Sequence, residues 1–148
     1  MTINIDELRN YLTIDRGSLD NELVHQAALF YKVGEACVDA NDKRDSLKEA
    51  LALLEAETEN DLRETAEKHK EKITNDEVKS RVKTDHSRKK AYASYAQAKR
   101  DADKLTALKE SFAQRASMLK HLCELYVSQY YETKSIKGTD RTDTATYI

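Results

Sequence analysis

Between Val78 and Arg100 the chain reads VKSRVKTDHSRKKAYASYAQAKR, the stretch whose residue types best suggest a chemistry. Eight bases, Lys79, Arg81, Lys83, Arg88, Lys89, Lys90, Lys99 and Arg100, stand against one acid, Asp85, for a local charge of +7. Tyr92 and Tyr95 sit among them. Single-stranded nucleic acid is held by this combination, because cations neutralise phosphates while flat rings stack on unpaired bases. The net charge of the whole chain is −2, so only a local patch can argue for a polyanionic partner.

A second reading of the same run is structural. Glu55, Glu57, Glu59, Asp61, Glu64 and Glu67, opposed only by Arg63, give residues 55–67 a charge of −5. In an antiparallel helical pairing the acidic and basic runs lie side by side and fix its register. Exposed ion pairs contribute only ~0–1 kcal/mol each, but they discriminate against wrong pairings. The residues alone leave both readings open.

Other chemistry finds little footing. There is no glycine-rich phosphate loop and no HExxH pattern, so no enzyme activity is expected. His25, His69, His86 and His121 are scattered. His25 and His121 approach each other in an antiparallel pairing, but a metal site needs three or four converging ligands, and no metal or cofactor is expected. Cys37 and Cys123 fall within apolar helical stripes and lack a CxxC pattern, which reads as two reduced, packed thiols.

The elements that must position the basic run are helical. Proline is absent and there are three glycines, too few for a fold of many strands and tight turns. With 35% charged and 39% hydrophobic residues, the 148-residue chain has no means of building a large spherical core. We expect an all-α protein, a long coiled-coil-like antiparallel helical hairpin with a short N-terminal helix and a polar C-terminal tail. Its expected parts are residues 1–17, a short helix and a break; 18–134, the hairpin, turning near 73–75; and 135–148, the tail.

In the first part, Asn4 caps a helix with Ile5, Leu8 and Leu12 on one side. Ser18 is the expected N-cap of the first long helix. Its seam steps by three and four through Leu23, Gln26, Phe30, Val33, Cys37, Ala40, Arg44, Leu47, Leu51 and Leu54, and the helix runs to about residue 72. Gly34 in that helix is read as a close helix approach. Thr74-Asn75-Asp76-Glu77 is a capping-box pattern that starts the second long helix, which is expected to run unbroken to about Glu132. A turn centred on 74 places Phe30 beside Met118 and Leu119, Cys37 beside Phe112, and Leu23 near Tyr126.

From Leu105 to Tyr131 the second helix is apolar over more than a narrow seam. A two-helix rod cannot cover such a stripe, so self-association through Leu108, Phe112, Leu119, Leu122, Tyr126 and Tyr130, or a partner protein that covers the remainder, is expected. No segment approaches the ~18 apolar residues of a membrane span, and no basic-then-apolar leader opens the chain. The chain reads as soluble and intracellular.

The order of these features, with EVKSRVKTD, the alanine- and charge-rich AYASYAQAKRDADKLTALKESFAQR and the ending SMLKHLCELYVSQYY, resembles the phage recombination mediators of the UvsY-like family over residues 19–132. The resemblance implies a non-enzymatic phage protein of the host cytoplasm. Such a protein binds single-stranded DNA, assembles as rings, and helps a RecA-like recombinase displace single-strand binding protein. Members of that family carry a basic-aromatic run on the first long helix. Here the matching region is the acidic ETENDLRE, so DNA-contact residues do not transfer to it. The expected DNA surface is therefore Lys79, Arg81, Lys83, Arg88, Lys89, Lys90, Tyr92, Tyr95, Lys99 and Arg100, read from local charge. A helical scaffolding or adaptor protein of a phage with no DNA role is the alternative.

Overall fold

The computed structural model describes residues 5–130, which form four helices and no strand. These are α1 (Ile5–Asn10), α2 (Leu19–Lys68), α3 (Asn75–Thr84) and α4 (His86–Val127). The 50 residues of α2 make a rod roughly 75 Å long, and α4 packs back along it to close the expected antiparallel hairpin. The expected tail, 135–148, lies outside the described residues, as do Asn4 and Tyr131.

The seam follows the alternation of three- and four-residue steps that keeps one stripe of a helix facing its partner. On α2, Val33, Ala36, Cys37, Leu51 and Ala66 are buried, and on α4, Ala98, Ala102, Leu105, Leu108, Phe112 and Leu119. The core is thickest where α1 joins: Leu8, Val33, Ala36, Cys37, Leu105, Leu108 and Phe112 form one cluster, with Ile5, Leu12, Leu29 and Ala40 packed on it. Three helices at this level bury what two would leave wet. Each fully buried Phe, Leu or Val contributes ~1.5–3 kcal/mol.

The ends of the helices depart from expectation in ways the backbone explains. Ser18 precedes α2 as expected, but its hydroxyl accepts from Asn21 Nδ2 at 2.7 Å and caps no backbone N–H. α2 stops at Lys68, short of residue 72, in a Schellman motif: the Glu71 N–H donates to the Ala66 carbonyl at 2.9 Å and the Lys70 N–H to Glu67 at 3.0 Å. Lys70 takes the left-handed conformation, φ 54°, where glycine is usual. α4 ends at Val127, short of Glu132, where the Gln129 N–H donates to the Tyr126 carbonyl at 3.1 Å and Gln129 takes φ 56°. Thr74 does cap α3, accepting from the Glu77 N–H at 3.3 Å.

The second arm is not one helix. Asp85, at φ −56° and ψ 137°, is extended, and its carboxylate accepts the Arg88 N–H at 2.8 Å, ending α3 and capping α4. The lone acid of the basic run is thus a helix cap.

The register also differs. The turn occupies 69–74, so its centre falls before residue 74, and since a displaced turn moves every pairing by twice the displacement, this accounts for about half of the register shift at Gln26 and Phe112. Gln26 Nε2 donates to the Phe112 carbonyl at 2.9 Å, and the Lys109 ammonium lies 5.9 Å from the Phe30 ring centre, where Met118 and Leu119 were expected. Leu23 and Phe30 lie outside the seam, 49% and 37% exposed, because Glu22, Gln26 and Leu29 take the inward positions. Gly34 is no close approach: an added Cβ there would meet nothing within 4 Å. Cys37 and Phe112 share the core cluster as expected.

Candidate nucleic-acid interface

The break at Asp85 decides which basic and aromatic side chains face outward. Stepping on from the buried Val78 and Val82 of α3, an unbroken helix would turn residues 85, 89, 92 and 96 inward. The extended Asp85 shifts the phase by one residue. Arg88, Ala91, Tyr95 and Ala98 then face α2, and Lys89 and Tyr92 are exposed. A core-facing lysine would have cost its desolvation; the break avoids it.

Lys79, Lys83 and Arg88 line one groove with Glu55, Glu59, Ala52, Ala56 and Val82. Steps of four and eleven from Arg88 carry the same flank along α4 to Tyr92 and Lys99, and Lys89 and Arg100, roughly 100–120° further round, border it on the face turned away from α2. Lys90 belongs to the opposite groove, with His86, Ser87, Ala91, Ser94, Leu47 and Ala50. Arg81 bonds Glu77 within α3 at 2.7 Å and lines neither groove.

Charge pairing across the hairpin is sparse. Arg88 Nε donates to Glu55 Oε1 at 2.8 Å, the ion pair that joins the acidic and basic runs among the described residues. The remaining pairs of the two runs are local, Arg63 with Glu59, Lys68 with Glu64 and Arg81 with Glu77. Lys79, Lys83, Lys89, Lys90 and Lys99 are exposed and form no ion pair with a described residue. Arg100 donates to Gln97 Oε1 at 2.6 Å. The Arg88 guanidinium lies over the Tyr92 ring, 5.0 Å from its centre, and Tyr95, half-buried, tilts against Tyr92 at 57° with centroids 6.3 Å apart. Tyr92 is 49% exposed, which leaves ring area for stacking.

The expected assembly residues divide. Leu108, Phe112 and Leu119 are buried within the hairpin itself, so their surface is used inside the chain. Leu122 is half-buried, and Tyr126 and Tyr130 are exposed. With Glu22 bonded to Arg115, near the start of α2, the last turns of α4 project past their partner helix. Leu125, Tyr126 and Val127 on α4, with Leu23 and Val24 on α2, leave an apolar end.

At that end the sequence reading missed Arg115, which is 5% exposed. Its guanidinium donates to Gln26 Oε1, to Glu22 Oε2 and, at 3.4 Å, to the Thr13 carbonyl. The backbone N–H of Asp15 and then Arg115 hold the Glu22 carboxyl below its ordinary value. The signal was present, since Arg115 falls at a seam step between Phe112 and Leu119, facing the polar seam residue Gln26.

Both cysteines are free, and burial pushes the Cys37 thiol up, away from the reactive thiolate. His25 Nδ1 lies 2.7 Å from the Asn21 carbonyl, and His121 Nδ1 lies 3.2 Å from Glu124, so each pairs within its own helix. No group of three or more potential metal ligands occurs among the described residues, and none of the described helices is long and apolar enough to cross a membrane. Comparison with protein-family models, curated proteins and solved structures finds no match.

Proposed function

We propose that this chain is a non-enzymatic mediator that binds single-stranded DNA along the α3–α4 flank. The observation that supports it is the set of exposed lysines left without an ionic partner beside the exposed ring of Tyr92. Lys79, Lys83, Lys89, Lys99 and Arg100 meet phosphates, and Tyr92 stacks on a base. The resemblance to phage recombination mediators supplies the finer reading: a homo-oligomer, in a ring, that helps a RecA-like recombinase replace single-strand binding protein in the host cytoplasm. Its work is mass action, since holding strand and recombinase together raises their effective concentration.

The test is anisotropy of a labelled oligothymidylate against salt. Engaging about four phosphates weakens affinity about 50-fold between 50 and 200 mM salt. The double variant Lys89→Glu/Lys99→Glu binds at least about tenfold more weakly with unchanged melting, because neither lysine is part of an ion pair that holds the fold. The apolar end favours a second reading, a helical scaffold or adaptor with no DNA role. Intact assembly with no strand binding at low salt selects it.

A further inference from the structure

Arg88 is the one basic residue of the run that is held by both an acid and a ring. Its Nε donates to Glu55 at 2.8 Å while its guanidinium covers Tyr92 at 5.0 Å. The side chain is only 22% exposed, and that of Glu55 is 38% exposed. Glu55 therefore takes, with one carboxylate oxygen, a guanidinium donor that a phosphate oxygen would take, since both are anionic oxygen acceptors for arginine. The same contact keeps the guanidinium over a face of Tyr92 that a base would use.

We propose that Glu55 is a built-in competitor of the strand: an intramolecular phosphate mimic that latches Arg88 over Tyr92 and sets how tightly the flank binds. The inference rests on the DNA-binding reading above. When a phosphate displaces Glu55, Arg88 turns outward and uncovers the ring, so phosphate capture and base stacking occur together. Exchange of one anion for another adds little net attraction, so in the wild-type chain Arg88 contributes less than its charge allows and the lysines supply most of the affinity. Glu55 repels the incoming phosphate as well, within the ~10 Å over which charges act at 0.1 M salt.

The competitor's strength is read by removing its charge. Glu55→Gln in the full-length chain, titrated with fluorescein-labelled oligothymidylate at 0.1 M salt, is expected to bind about three- to tenfold tighter, with a salt slope steeper by ~0.7 because the phosphate that meets Arg88 then frees no carboxylate to take up a counterion. Glu64→Gln removes an equal charge further along α2, from a pair with Lys68, and is expected to stay within about twofold of wild type. In an Arg88→Ala background the effect of Glu55→Gln is expected to fall below about twofold. If the amide disturbs the seam, Glu55→Ala, a stronger helix former, gives the same direction. Salt-dependent binding by wild type with no gain on Glu55→Gln overturns the competitor and leaves the DNA surface standing. An equal gain from Glu64→Gln, or a gain that persists without Arg88, also overturns it. Absence of strand binding by wild type at low salt overturns the surface and the competitor together.

Discussion

Replacing Arg115 with alanine tests whether the polar clasp at the α1 end of the hairpin holds that end shut. Arg115 reaches three partners on two segments: Glu22 and Gln26 on α2, and the Thr13 carbonyl in the connection from α1. Gln26 in turn donates to the Phe112 carbonyl at 2.9 Å, and Glu22 accepts the Asp15 N–H at 2.9 Å, so removing one guanidinium loosens both. Breaking a fully buried pair costs ~3–5 kcal/mol. Here the Arg115 side chain is 3% exposed but that of Glu22 is 18%, so water re-solvates part of the stranded carboxylate, and about 2–4 kcal/mol is expected. For a chain of this size that lowers Tm by about 6–12 °C, read by circular dichroism at fixed protein concentration. The double variant Arg115→Met/Glu22→Gln removes both charges and recovers at least half the loss. Acid should reveal the same contact. The Glu22 carboxyl is held low in the folded chain, first by the Asp15 N–H and then by Arg115, so its contribution is complete above the ordinary value of 4.5 and fades as pH falls below it. Arg115→Ala flattens that acid loss in part, leaving the share due to Asp15. A Tm within about 2 °C of wild type refutes the clasp.

Two further outcomes follow from other parts of the fold. Gly34→Ala stabilises by about 0.5–1 kcal/mol, since Gly34 lies within α2 and the new methyl meets nothing within 4 Å; a lower Tm would show a neighbour at that face. Val127→Glu at the projecting end of α4, where Val127 is 86% exposed, reduces the mass seen by light scattering while helicity is retained; unchanged mass, or a wild type that is already monomeric, contradicts assembly through this end.

The hairpin was legible because its evidence is periodic. Val33, Cys37 and Leu51 on one arm and Leu105, Leu108 and Phe112 on the other repeat at helical spacing, and no proline interrupts them. Thr74 was legible because a cap is a local interaction between side chain and backbone. The start of the turn was not, because Lys70 takes a conformation for which glycine is the usual signal, at a cost of roughly 1–2 kcal/mol. Asp85 was visible as an acid out of place but was read as charge; its role as a cap depends on a backbone break that no periodicity announces. That break carried the basic run out of phase with the seam and split it between two flanks, so Lys90 and Arg81 left the surface that Lys79, Lys83 and Arg88 share. Self-association was placed in part on residues that the hairpin's own core uses, Leu108, Phe112 and Leu119. The stripe was counted without the third helix, α1, which packs on the same apolar cluster.

The most direct measurement is the salt dependence of oligothymidylate binding by the wild-type protein, with its mass recorded in the same buffer. A linear fall of log affinity with log salt, at a slope near −3 for about four neutralised phosphates, is predicted, together with a mass above that of one chain. A particle that assembles but fails to bind the strand at 50 mM salt, or binds with a slope near zero, contradicts the account.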